Sequence, residues 1–434
     1  MDAGSATAAE GSAPMASGNG SHVASQFYTP GVPQLRFRTR SAMASATPVS
    51  YWLLLLFIFL LYANLPFVLP ATEVARPAAV VGASALAMLV VETIAGRRKL
   101  TFAWPEGALL LAFVGAAAVS CLTALWPHQA VDSLSDLLKM GLVFFFIANC
   151  ANTVRRLRGL MWTVVLGGLI PAAGTLRNYW AGNLFEGRAS WLGIFANPNE
   201  MAYSLIILLP IAAFLAEGLR LLPRLLLLGI GVIFLAAIFV TFSRGGLVGL
   251  GVVVALYAWR KRNSWLQAAL VALVVVALPY GGKYWSRDED FSSLNGDVSF
   301  QQRLATSEAG LRMFDDNPFA GVGLGCSVIA WPLYAPHDLY TRGALVTHNT
   351  VIQPLAETGL LGFVPFALLI GCGIYHARKL ALNRRQSSAN LGAGLEIALW
   401  GFVICGLSGG YVLTWFPYIL LGMVSAGWQI RGEK

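Results

Sequence analysis

The stretch "VTFSRGGLVGL", residues 240–250, decides how the chain is threaded. It lies in a run of thirty-five residues, Leu225 to Trp259, that carries one charge, Arg244. An arginine at a bilayer centre costs roughly 2.5 kcal/mol or more. A single helix over 225–259 would measure about 52 Å at 1.5 Å per residue, against a hydrocarbon core of about 30 Å. The alternative is two helices that turn at "SRGG". Ser243 can cap the second helix, and the two glycines tolerate left-handed backbone. Arg244 then stands at a membrane boundary rather than in mid-bilayer.

The rest of the chain agrees with this reading. Its 434 residues are 57% hydrophobic and 12% charged, about half the charge of a soluble domain. Apolar runs near twenty residues recur along the length, as in an all-α integral membrane protein. With the split, the predicted spans are 51–70, 77–95, 105–126, 136–152, 159–179, 200–217, 223–242, 246–259, 264–280, 350–375, 391–411 and 413–430. The positive-inside rule tests that count of twelve. With the N-terminus in the cytoplasm, the clusters at 36–40, 97–99, 155–158, 220–224, 260–262, 378–385 and 431–434 all fall inside. They hold 20 of the 30 Lys and Arg. Without the split, every later cluster would move outside. Both termini are therefore expected in the cytoplasm.

The net charge of +9 comes from these short clusters between apolar runs. That pattern fits topology and anionic headgroups rather than nucleic acid. Residues 1–47 are rich in Ala, Ser and Gly and read as a disordered cytoplasmic arm. The first apolar run is long and follows "RFRTR", so it reads as a signal anchor. The predicted organisation is that arm, then transmembrane helices 1–9 over 48–280, an outer loop over 281–346 and helices 10–12 over 347–430. Within the loop, Phe300, Leu304, Leu311 and Phe314 recur at helical spacing and predict an amphipathic helix on the outer surface or on the bundle. Cys121, Cys150, Cys326, Cys372 and Cys405 show neither a disulfide framework nor metal-type spacing. No repeat period and no two-half transporter symmetry stands out.

Three elements concentrate polar groups on the outer face. The first is "FEGRASWLGIFANPNEMA", 185–202, with Arg188 before Asn197-Pro198-Asn199. The second is "SRGG". The third is "VTHNTVIQPLAETGLLG", 346–362, with His348 and Asn349 at the mouth of the tenth span. Singly each has an ordinary explanation. Asn-Pro-Asn is usually a helix start, a boundary arginine usually snorkels to headgroups, and a lone interfacial histidine is usually no catalyst. Glu357, nine residues after His348, lies roughly opposite it on an ideal helix, so pairing would need the kink expected at Pro354. Together, two or three arginines and a histidine suit a diphosphate substrate: arginine binds phosphate bidentately, and histidine accepts a proton near neutral pH. No grouping demands a metal or other cofactor. "DED" at 288–290 could hold a cation, but a solvated acidic loop is the commoner meaning.

The order "GR…GIFANPNEMA", "FSRGGLVGL", "NPFAGVGLG" and "THNTVIQPLAETGLLG" resembles the O-antigen ligase and polymerase group of bacterial membrane glycosyltransferases, over about residues 185–365. The resemblance implies a GT-C-like polytopic bundle in the bacterial inner membrane. It implies transfer of a glycan from undecaprenyl diphosphate at the periplasmic face, in a ligase to a lipid A–core sugar. It maps the family's histidine onto His348 as general base and its diphosphate-binding arginines onto Arg244 and Arg188. The gap from Arg188 to Gly193 is longer than the family pattern, which leaves Arg177 as a rival. Arg303 is a further candidate that could instead anchor the surface helix, with Asn199, Asn349 and Glu357 in support. A polymerase sharing the donor, and a polyprenyl-lipid or ion transporter, are the alternative readings; a transporter predicts essential charges deep within spans.

Overall fold

The computed structural model describes residues 47–64, 70–72, 74–185, 187–262, 265, 298–336, 347–383 and 388–432. These belong to one unit that begins at Thr47. All of the ninth predicted span but Trp265, the acidic stretch "RDEDF", Arg342 and nearly all of the N-terminal arm fall outside the described residues. The longer helices are α1 Val49–Ala63, α2 Pro77–Ile94, α3 Glu106–Leu122, α4 Pro127–Cys150, α5 Val154–Trp180, α6 Pro198–Ala216, α7 Leu221–Val240, α8 Arg244–Lys261, α9 Val298–Asp316, α10 Ser327–Tyr334, α11 Ile352–Leu382, α12 Ala389–Gly406 and α13 Trp415–Gly432. Among the described residues there is no β-strand, only an isolated bridge between Phe185 and Arg188.

Helices thus occupy eleven of the twelve predicted spans. Six of them, α2, α5, α6, α7, α11 and α12, are long and apolar enough to cross a membrane by length and composition, and α1 and α3 are apolar but shorter. This is the build of an all-α membrane protein. The α1 helix stops at Ala63, short of the predicted residue 70, because Pro66 disfavours helical geometry just before it. The α4 helix starts at Pro127, well before the predicted 136, since a polar first half is invisible to a hydropathy window.

The turn at residues 240–244 is real. The α7 helix ends at Val240 and α8 begins at Arg244, with Ser243 Oγ accepting a hydrogen bond from the Gly246 amide at 3.1 Å. Its left-handed residue is Phe242, with φ 47°, and not a glycine. Gly245 and Gly246 lie inside the first turn of α8, where lack of a side chain serves packing. A Cβ on Gly245 would come within 2.2 Å of Tyr203 Oη, and one on Gly249 within 2.5 Å of Cys405 Sγ. Helix α8 is thereby pressed against α6 and α12.

Contacts sort the helix termini into two ends. At one end, Arg98 donates to the Asn149 carbonyl at 3.1 Å and Ser50 to Glu92 at 2.6 Å. There too Arg260 pairs with Glu396 at 2.6 Å, Lys261 with Glu217, and Arg431 lies over Trp428. These join the basic clusters before α3 and at the ends of α8 and α13. At the other end are the α7–α8 turn, the start of α6 and the start of α11.

Helix α11 is broken. Its 31 residues would reach about 46 Å if straight, but Gly359 sits at φ 58° and ψ −160°. The break is therefore at Gly359 and not at Pro354. Pro354 occupies the first turn, where an absent N–H loses no helical bond. The loop "NPFAGVGLG" closes the break. The Leu360 and Leu361 amides donate to Pro318 and Phe319 carbonyls at 2.8 and 3.1 Å, and Val322 and Gly323 amides donate to Ala356 and Glu357 carbonyls at 2.9 and 3.1 Å.

Helix α9 forms in the predicted place and lies on the bundle, but with a different face. Leu304 and Leu311 are exposed, at 56% and 46%, while Ala305, Ala309 and Met313 are buried. The side chain of Phe300 is outside those described. Close approach explains the choice, since a Cβ on Gly310 would lie 2.6 Å from Ile352 Cγ2. Small residues must face the start of α11.

A Cβ at Gly359 would meet the Phe319 carbonyl oxygen at 2.3 Å in a left-handed backbone. Gly359→Ala is therefore expected to destabilise the protein by about 1–3 kcal/mol. Gly371→Ala, on the same helix with nothing within 4 Å, should be neutral or slightly stabilising. Thermal unfolding of both variants in detergent checks this; equal melting temperatures would refute the role given to Gly359.

Candidate functional site

The first two sequence elements meet at Asn199. Asn197 caps α6, its Oδ1 accepting from the Asn199 amide at 2.9 Å. That cap holds Asn199 in the first turn, where its own Oδ1 accepts two hydrogen bonds. One comes from Arg188 Nη2 at 2.6 Å and the other from Ser243 Oγ at 2.7 Å. Arg188 Nε donates to the Thr241 carbonyl at 2.8 Å, and the Ala189 amide to Val240 at 3.1 Å. Two edges of the guanidinium are thus fixed against the α7–α8 turn. Arg244, exposed, follows Ser243 directly. Arg177 is exposed on the last turn of α5 and makes no hydrogen bond to this network among the described residues. Of the two rivals, the structure joins Arg188 to the turn.

The third element is held by the loop between α12 and α13. Thr350 donates its amide to Gly406 at 2.7 Å and its hydroxyl to Gly409 at 2.6 Å, and its Oγ1 accepts from the Tyr411 amide at 3.0 Å. Asn349 Oδ1 accepts from the Val351 and Ile352 amides at 2.9 and 3.2 Å, capping α11. His348 immediately precedes these anchors. The same loop reaches α6, where Tyr203 Oη and Ser408 Oγ lie 2.6 Å apart. Gly245 abuts both of those oxygens. Hydrogen bonds join Arg188 and Ser243 through Asn199, Gly245 two residues on lies against Ser408, and Gly409 beside it accepts from Thr350, two residues from His348.

His348 is largely buried, and burial pushes its pKa below the usual 6.5; the positive charge of Arg303 lowers it further. The imidazole is thereby biased to its neutral, proton-accepting form at neutral pH. Arg303, on α9, stands beside His348 rather than acting solely as an anchor for its helix.

Glu357 does not turn toward His348. It accepts from Ser327 Oγ at 2.6 Å and lies 3.4 Å from Gln353 Nε2, so it holds the "NPFAGVGLG" loop and the start of α10. Four residues escaped sequence reasoning: Tyr203, Thr350, Ser408 and Tyr411. The "SGGY" at 408–411 repeats the Ser-Gly-Gly flavour of "SRGG" between two spans, which was the one available signal.

Residues 229–367 match the family model described as O-antigen ligase. The match holds Arg244, Arg303, His348, Asn349 and Glu357. It leaves Arg188 and Asn199 outside, although their hydrogen bonds tie them to it. Comparison with curated proteins gives no match. With the apolar helices, the match marks a multi-pass membrane glycosyltransferase.

Removing Asn199 leaves the buried Ser243 hydroxyl and the half-buried Arg188 guanidinium without their shared acceptor, which costs about 1–3 kcal/mol. Asn199→Ala should lower the melting temperature, and Asn199→Asp, which keeps an acceptor oxygen and adds charge opposite Arg188, should restore most of it. An aspartate variant as unstable as the alanine one would contradict the bridging role.

Proposed function

Starting from the O-antigen ligase match at residues 229–367, we propose that the protein transfers a glycan from undecaprenyl diphosphate to a hydroxyl of lipid A–core. The transfer takes place at the periplasmic face of the bacterial inner membrane. The observation that carries this reading is the Asn199 bridge, which holds Arg188 beside the turn bearing Arg244. Two guanidiniums near one turn suit a diphosphate, whose oxygens each fork can engage in pairs.

The reaction then runs as an inverting displacement. His348 takes the proton of the acceptor hydroxyl, and the oxygen attacks the anomeric carbon. The bond from that carbon to the diphosphate oxygen breaks, and the leaving group departs with its electron pair into the charge of Arg188 and Arg244. Diphosphate is a good leaving group, so no strong general acid is required. The arginines supply the charge stabilisation that a metal would otherwise provide. Thr350 and Asn349 act as positioning residues for the peptide of His348. Burial, helped by the charge of Arg303, favours the unprotonated imidazole.

His348→Ala should leave a folded protein with no transfer, read as loss of polymer-bearing lipopolysaccharide in a ligase-null strain. Arg244→Lys should also lower the rate, since an ammonium lacks the bidentate fork. Normal lipopolysaccharide from the alanine variant would sink the assignment of the base. Reconstitution with polyprenyl-linked glycan and lipid A–core, in chelator, separates the activities. Product on lipid A–core is expected, whereas elongated polyprenyl-linked glycan would indicate a polymerase.

The pH dependence follows from the burial of His348 and, added to it, the charge of Arg303. His348 must be neutral to act, and its lowered pKa keeps it so below the usual 6.5. Transfer should therefore persist on mild acidification and fall only when the imidazole protonates. Arg303→Gln removes a positive neighbour, raises that pKa and moves the acid limb to higher pH. An unmoved limb in the rate profile would dissociate Arg303 from His348.

A further inference from the structure

At the end of the bundle opposite His348, three groups of different ligand chemistry meet inside the protein. Glu106 opens α3, and Cys372 and His376 stand one turn apart near the end of α11. His376 Nδ1 lies 2.5 Å from Glu106 Oε1 and 3.8 Å from Cys372 Sγ. The ligand atoms of all three residues fall within 4.8 Å of one another. Glu106 is fully buried, and its second oxygen, Oε2, is buried without a hydrogen-bond partner. The His376 ring is fixed by stacking on Trp428, at 3.9 Å between centroids and 10° between planes.

We propose that Glu106, Cys372 and His376 form a transition-metal site, with Zn2+ as the fitting ion. The set is mixed oxygen, sulfur and nitrogen, which borderline ions prefer and Mg2+ or Ca2+ do not. Bonds of about 2.0–2.3 Å in tetrahedral array separate ligand atoms by roughly 3.3–3.7 Å. The separation of Cys372 and His376 is already close to that. Glu106 must open its short contact with Nδ1 or turn the unpartnered Oε2 to the ion, a movement of about 1 Å by the same geometry. The spacing of four residues puts Cys372 and His376 on one helix face, and stacking on Trp428 holds the imidazole in place.

Charge also favours the ion. A thiolate and a carboxylate cancel a divalent cation, so the occupied site is neutral, as a buried site requires. Binding releases the thiol proton of Cys372, so affinity rises with pH. The ion would pin the start of α3 to the end of α11. Those are the two helices whose other ends clasp the "NPFAGVGLG" loop, where the Leu324 amide donates to Ser120 Oγ at 3.2 Å and the Gly323 amide to Glu357. The site is a latch, distant from the transfer chemistry, and it does not depend on the reading of His348.

The test uses the full chain in detergent micelles, loaded with Zn2+ or Co2+ and freed of excess ion. One equivalent of Zn2+ by mass spectrometry of the metal is expected, together with thiolate-to-Co2+ charge-transfer absorption in the near ultraviolet. Cys372→Ser should abolish that band, His376→Ala should weaken binding at least tenfold, and Zn2+ should raise the melting temperature of the wild type alone. A wild-type protein that retains no metal and shows no band overturns the proposal and leaves a plain Glu106–His376 hydrogen bond. Equal Zn2+ retention by the wild type and Cys372→Ser overturns it as well. The wild-type spectrum decides even if a variant fails to fold.

Discussion

Every backbone amide and carbonyl that leaves helical geometry within an apolar bundle must find a partner there, because water does not supply one. The structure turns on where this happens. At Gly359 the helical ladder stops, and the segment Pro318–Gly323 replaces the lost partners with two carbonyls and two amides. The break divides a helix too long for a bilayer into a short outer piece and a longer one. It also commits a distant loop to one position. Because the loop is packed so closely, Gly321 and Gly359 must lack side chains; a Cβ on either would meet main-chain atoms at 2.3 Å.

The same requirement builds the candidate site. Ser243, Asn197 and Asn349 each cap a helix at one end of the bundle. Thr350 meets the exposed ends of α12 and its loop. Caps that satisfy backbone groups also carry the polar side chains next to them. Arg188 and the residue before Arg244 come together on Asn199, and His348 is fixed by its neighbours. Positive charge is divided between the two ends. At one, Arg98, Lys261 and Arg260 pair with Glu92, Glu217 and Glu396. At the other, Arg188 is tied to neutral acceptors, Asn199 and a carbonyl.

Much of this was legible in the chain itself. The charge of Arg244 in an apolar run, weighed against the length of a bilayer, forces two helices. Helix starts at Asn197 and Ser243 followed from side chains that accept from main-chain amides. The motif order resembles that of the ligase family without reference to the fold. What misled was local geometry with two solutions. Glycines in "SRGG" were read as turn residues, while Phe242 takes the left-handed position and the glycines serve helix contacts. Proline was read as the kink in α11, although a proline in a first turn bends nothing. The Phe and Leu stripe of α9 leaves open whether it faces the outer surface or the bundle; the bundle contact is made by Ala305, Ala309 and Met313.

Composition and charge pattern alone determined the class of protein and the order of its apolar helices. These depend on solvation energy and on sequence-local hydrogen bonds, which act wherever the chain goes. Tertiary structure decided which candidates meet. Asn199 receives both Arg188 and Ser243, and Glu357 turns to Ser327 rather than to His348. Cys372 and His376 find Glu106 from 270 residues away. Such pairings are set by how closely helices approach, and so by the shapes of side chains that are distant in sequence. Periodicity and motif spacing carry no record of them.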